Sequence, residues 1–299
     1  MTAATGADAG AEEEATGHPA GTGEATDSAT PSAGALVGSV LRRELFTVIL
    51  TPTVIVLGLL TTAIVAGLAV VGGGYQAGYV AVVVDLLTPL QLLVPVLAVA
   101  LGYNAVLSDQ RRGELDVLRT YPLRPWQFVA GIYLGRAAGL AAILAAPLLV
   151  VLGLTAVGGT PRLPMYASHA AGDSPGLYLR MVVLTVAFGL VVLAVAVAVS
   201  ALVSAARTAL IGGGLAVLFV AFGFDLAVAY GFSLGVIGDA GLLQALAVSP
   251  LSAYRGLVLE TAVLTADGTG PQTAAPAASA LGLAVWGVGS LLVAARSLD

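Results

Sequence analysis

The sequence predicts an all-α, polytopic membrane protein with six transmembrane helices. Three observations carry this. Of 299 residues, 58% are hydrophobic and only 10% charged, far more apolar than a soluble domain requires. Apolar windows of about 20 residues, the length that crosses a hydrocarbon core as a helix, recur along the chain. The charges cluster between these windows rather than within them. A transmembrane β-barrel would show short alternating segments instead.

Residues Met1–Gly34 are a different material. They combine Ala, Gly, Thr, Ser and Pro with Asp8, Glu12, Glu13, Glu14, Glu24 and Asp27, and contain no basic residue. Low hydrophobicity with charge of one sign predicts a disordered acidic tail. A secretory signal is not expected, since the positive start and apolar centre are missing. The net charge of −5 belongs to this tail; beyond it, twelve basic residues face eleven acids. The second division, 35–299, reads as one membrane domain.

Leu36–Phe46 can form a short amphipathic helix, with Val37, Val40, Leu41 and Leu45 on one side and Ser39, Arg42 and Arg43 on the other. It reads equally as an interfacial helix or as a juxtamembrane anchor. The six spans are expected at about Val48–Val71, Tyr79–Leu107, Phe128–Val157, Leu177–Val203, Ala209–Tyr230 and Ala277–Ala295. Pro89, Pro95 and Pro147 fall inside them and are expected to kink their helices. Gly131, Gly135 and Gly139 make a small-residue stripe on the third span, suited to close helix approach.

All basic residues are arginine. Arg42, Arg43, Arg111, Arg112, Arg119, Arg124, Arg207 and Arg296 fall on one side of a six-span chain, and Arg162, Arg180 and Arg255 on the other. The positive-inside rule then puts both termini in the cytoplasm of a multi-pass cell-membrane protein. The outer stretch 231–276 is apolar over Ala240–Ala266 but holds Arg255, Glu260 and a central Ser249-Pro250. A seventh span there would bury charge in lipid, so a re-entrant or interfacial helix pair is expected.

Several chemistries are excluded or disfavoured. There is no cysteine, so no disulfide and no thiolate. There is no lysine, so an ordinary phosphate-binding Gly-rich loop ending in Lys is absent, and ATP hydrolysis would need another polypeptide. His18 and His169 stand alone and no metal site is expected from this chain. No G-x-S-x-G or H-E-x-x-H pattern supports a membrane enzyme. Asp85 and Asp225 fall toward the outer ends of their spans, about 33 Å from the inner end for Asp85 at 1.5 Å per residue. That placement weakens a proton-driven secondary transporter, which needs acids at mid-membrane. Gln91 and Asn104 are expected to bond between helices more than to touch a substrate.

The most informative stretch is Ser108–Gly135. It holds Arg111, Arg112, Arg119 and Arg124, a third of the chain's basic residues, with Asp109, Glu114 and Asp116. Asp109–Arg119 reads as a short helix with Leu115 and Leu118 on one side, ended by Pro122 and Pro125. An anchor alone needs the arginines but not the leucine face. The order Arg111-Arg112-Gly113-Glu114-Leu115, Leu118, Pro122, Phe128, Gly131 and Arg136 resembles the loop after the second span of ABC-2-type permeases. Glu114 departs from the Thr often found there, and Arg136 is displaced from the usual Gly-Lys pair. Ser249-Pro250-Leu251-Ser252-Ala253-Tyr254-Arg255 resembles the N-P-x-x-[AV]-[FY]-R element of NosY-like permeases.

The resemblance implies a permease subunit with no catalytic residues and no cofactor, working as a dimer, homomeric or heteromeric, with ABC ATP-binding subunits on its cytoplasmic side. It implies a coupling helix within the segment 108–127 that docks into that ATPase. The residues carried over are Arg111, Arg112, Gly113, Glu114, Leu115, Leu118, Arg119, Tyr121 and Pro122. A NosY-like role would support maturation of a copper enzyme, without a soft-metal path through this chain. The remaining partner is the lipid bilayer; nothing points to nucleic acid.

Overall fold

The computed structural model describes residues 51–107, 125–158, 173–264 and 274–298. The chain divides into two units, Met1–Pro31 and Ser32–Asp299, and every described residue belongs to the second. The acidic tail and the Leu36–Phe46 segment lie outside the described residues, as does the start of the first expected span.

The described residues are helical throughout, joined by turns. Helix α1 is Pro52–Gly72, opened by a first-turn proline and closed by Gly73 at φ 75°. A single turn, α2 (Gly74–Ala77), leads through Gly78 into α3, Tyr79–Gly102. Helix α4 is Pro125–Val157 and α5 is Pro175–Leu202. Three prolines thus sit in first turns, where the missing N–H costs no hydrogen bond. Pro89, Pro95 and Pro147 lie inside α3 and α4, which continue through them.

Among the described residues, five helices are long and apolar enough to cross a membrane: α1, α3, α4, α5 and the last, α10 (Pro276–Arg296). The stretch expected as the fifth span is not a single α-helix. It consists of α6 (Ala206–Leu218), a five-residue π-helical segment π1 (Phe219–Gly223) and α7 (Phe224–Ser233). A π turn shifts the hydrogen-bond register by one residue, which hydropathy alone does not register. After it come α8 (Asp239–Leu246), α9 (Pro250–Val258) and a second π segment, π2 (Leu259–Val263).

Helix α5 is the centre of the bundle. It packs against α3, α4, α6, α9 and α10. In its apolar window 61% of residues are buried, against 17% in α1 and in α10, so α5 is a core helix and the other two present most of their surface outward. The three glycines of the α4 stripe, Gly131, Gly135 and Gly139, are all buried.

Several polar side chains inside the bundle are tied to backbone or to each other, as a low-dielectric setting favours. Tyr178 donates to the Leu148 carbonyl at 2.9 Å, and Tyr133 to that of Leu190 at 3.1 Å. The Tyr254 and Thr185 hydroxyls share a 2.9 Å bond, and Tyr254 stacks on Phe188 with ring centroids 4.7 Å apart. Trp286 of α10 donates to the Val248 carbonyl at 2.9 Å. These bonds join α4 to α5, α5 to α9, and α10 to the turn before α9.

Candidate functional site

Arg111, Arg112, Gly113, Glu114, Leu115, Leu118, Arg119, Tyr121 and Pro122 all lie outside the described residues. What is described is the pair of supports from which their segment departs: the end of α3 on one side, the start of α4 on the other.

The α3 support is fastened by three contacts. Ser200, fully buried near the end of α5, places its Oγ where it accepts the backbone N–H groups of Val106 at 3.1 Å and Leu107 at 3.2 Å. Arg136 of α4 donates through Nη1 to the Leu101 carbonyl. Gly102 lies so close to α5 that a Cβ there would stand 2.5 Å from the Ala196 Cβ. Only a residue without a side chain lets the two backbones meet at that point. Val106 and Leu107 are themselves fully buried. On the α4 side, Pro125 opens the helix, and Gln127, Phe128 and Val129 are buried within its first turns. The described residues on either side of 108–124 are thus held against the core.

Sequence reasoning singled out Arg136 by resemblance but missed Ser200 and Ala196. A signal was present: Ser200 is the only polar side chain in Val186–Leu202, and a hydroxyl in so apolar a run needs a partner. Asn104, expected to bond between helices more than to touch a substrate, is half-buried, and its Oδ1 has no hydrogen-bond partner.

At the other end of the bundle a second clamp joins α3 to α5. The Asp173 carboxylate accepts the N–H groups of Tyr79 at 3.1 Å and Val80 at 2.9 Å, capping α3 from 94 residues away. Gly78, at φ 122°, fits under it; a Cβ there would lie 2.4 Å from Asp173 Oδ2. Asp85 accepts the N–H of Gly74, so it is used in the α1–α3 turn. Asp225 sits on α7 with a buried oxygen that has no partner.

The Ser249–Arg255 element forms the start of α9. Ser249 is its N-cap and accepts the Ser252 N–H at 3.4 Å. Leu251, Ala253 and Tyr254 are buried against the bundle while Arg255 is exposed. Among the described residues, no group of three or more histidines or carboxylates could hold a metal ion.

Long helices apolar all round, hydrogen bonds made from helix to helix in the interior and charge sparse within the spans define a multi-pass α-helical membrane protein. The family described as ABC-2 family transporter protein matches residues 39–299, and the chain belongs to it. No curated protein matches the chain. Members of this family are typically non-catalytic membrane subunits of transporters.

Proposed function

We propose that this chain is the permease subunit of an ATP-driven ABC transporter, forming the translocation path with a second permease subunit and docking a separate ATP-binding subunit through 108–127. The observation that carries the reading is the mounting of that segment. A loop that transmits force must be rigid where it meets the spans, and the Ser200, Gly102 and Arg136 contacts supply that rigidity. A topology anchor needs charge but no such mounting. In this reading α6, π1 and α7 together make the fifth of six crossings, both termini are cytoplasmic, and 231–276 is a re-entrant or interfacial segment. Glu114 and the arginines orient the docking helix, and Leu115 and Leu118 fill a groove of the ATPase. The Ser249–Arg255 element supports the narrower NosY-like assignment, in which the cargo serves copper-enzyme maturation and need not be the metal itself.

The test is the double variant Leu115→Asp, Leu118→Asp. Truncating a central apolar anchor typically costs about 2 kcal/mol or more, and a desolvated charge adds to this. The variant reaches the membrane, because its arginines are intact, but loses the co-purifying ATPase and transport-linked ATP turnover. Retention of both would reduce the segment to an anchor.

A further inference from the structure

A groove of about 520 Å³ opens between the first turns of α5 and π2, lined by Gly176, Leu179, Arg180, Val183, Leu184 and Thr261. Its volume falls within the roughly 300–1,000 Å³ of small-molecule sites. Leu179 and Val183 are 41% and 66% exposed, so the walls are open apolar surface. Arg180 is the one charged side chain in the lining. Its Nη1 donates to the Thr261 carbonyl at 2.8 Å. That bond uses one of the five N–H donors of a guanidinium and sets the fork at the head of the groove. The neighbouring Glu260 makes an interaction of its own and is not part of the lining.

The position along the bilayer matters as much as the chemistry. Helix α5 has 28 residues, about 42 Å at 1.5 Å per residue, against a hydrocarbon core of about 30 Å. Arg180 lies in the second turn of α5, at the depth where a guanidinium reaches headgroup phosphates. Leu179, Val183 and Leu184 then run from that level into the apolar layer. A ligand that satisfies both halves has an anionic phosphate and an alkyl chain joined at the interface.

We propose that this groove is a binding site for an anionic phospholipid of the surrounding bilayer, its phosphate on Arg180 and one acyl chain along Leu179, Val183 and Leu184. The phosphate completes the guanidinium with charge-assisted bonds, and the chain covers apolar side chains that the bundle leaves exposed. The site is independent of any ATPase.

The test uses delipidated full-length protein in detergent, titrated with phosphatidylglycerol or phosphatidylcholine of identical chains, with retention read by native mass spectrometry. Both lipids offer Arg180 a phosphate, but the trimethylammonium of phosphatidylcholine repels the guanidinium and offsets that charge, so wild type retains phosphatidylglycerol about tenfold more tightly. Arg180→Gln erases the preference, Arg180→Lys keeps part of it, and Val183→Trp, which fills the groove, lowers retention of both lipids. Unfolding temperature checks that each variant is folded, and the wild-type comparison stands without any variant. Equal retention of the two lipids by wild type overturns the proposal. So does Arg180→Gln with its preference intact, or Val183→Trp with unchanged retention. Competition by glycerol phosphate as strong as by the lipid also overturns it, marking a soluble-anion site. A groove covered by a second copy in wild-type dimers, with no lipid retained, overturns it as well.

Discussion

Ser200→Ala is the sharpest probe of how the segment after α3 is mounted. The substitution removes one oxygen and changes little else, since both residues are small. That oxygen accepts two backbone N–H groups, those of Val106 and Leu107, and all three residues are fully buried. A buried donor left without a partner costs about 1–3 kcal/mol. Two donors losing one shared acceptor therefore give about 2–6 kcal/mol, a large fraction of a domain's net stability. Thermal unfolding of the purified protein reads the global loss. Limited proteolysis within 108–124 reads the local one. The expected result is a lower unfolding temperature together with faster cleavage after Arg111, Arg112 or Arg119. In an assembled transporter the same variant hydrolyses ATP with reduced transport per turnover. An unfolding temperature and cleavage rate equal to wild type would refute the clamp.

Three further outcomes are expected. Gly102→Val forces α3 and α5 apart, because even a Cβ meets Ala196 at 2.5 Å; overpacking of about 1–3 kcal/mol should appear as lowered thermal stability, while the same change at Gly67, where a Cβ meets nothing within 4 Å, should be mild. Asp173→Ala removes a cap from α3 and should cost about 1 kcal/mol, read by unfolding and by faster amide exchange at Tyr79 and Val80, with Asp173→Asn recovering only part of it, because its single carbonyl oxygen accepts one of the two N–H groups. On the cysteine-free chain, single cysteines at Ser28 and Ser297 should resist an impermeant thiol reagent in intact cells while one at Thr269 reacts; opposite labelling of Ser28 and Ser297 would overturn the six-crossing arrangement.

Class and helix positions were legible from one dimension. Crossing a bilayer imposes a length and a composition on each helix, and both are local properties of the chain. Hence α1, α3, α4, α5 and α10 begin or end within a few residues of the expected bounds where those bounds are described. The family, too, could be read from a handful of ordered residues between the second and third spans. The π segments were not legible. Around Phe219–Gly223, α6 packs on α3 and α5 and π1 itself on α9, contacts made across the bundle that no residue type in the segment encodes.

Tertiary structure alone decided which apolar helix lies at the centre. Helices α1 and α5 are both apolar all round, and burial separates them only because α5 has neighbours on most sides. It also decided the partners of the polar side chains. Ser200 announces in sequence that it needs a hydrogen bond, and Asp173 that it can cap a helix. Neither announces that its partners lie more than 90 residues away, at the start of α3 for Asp173 and just past its end for Ser200. The physical reason is that lipid rewards apolar length without distinguishing one helix face from another. The faces are chosen by close backbone approach, as at Gly102 against Ala196, and by the few buried donors and acceptors that find each other only once the bundle has packed.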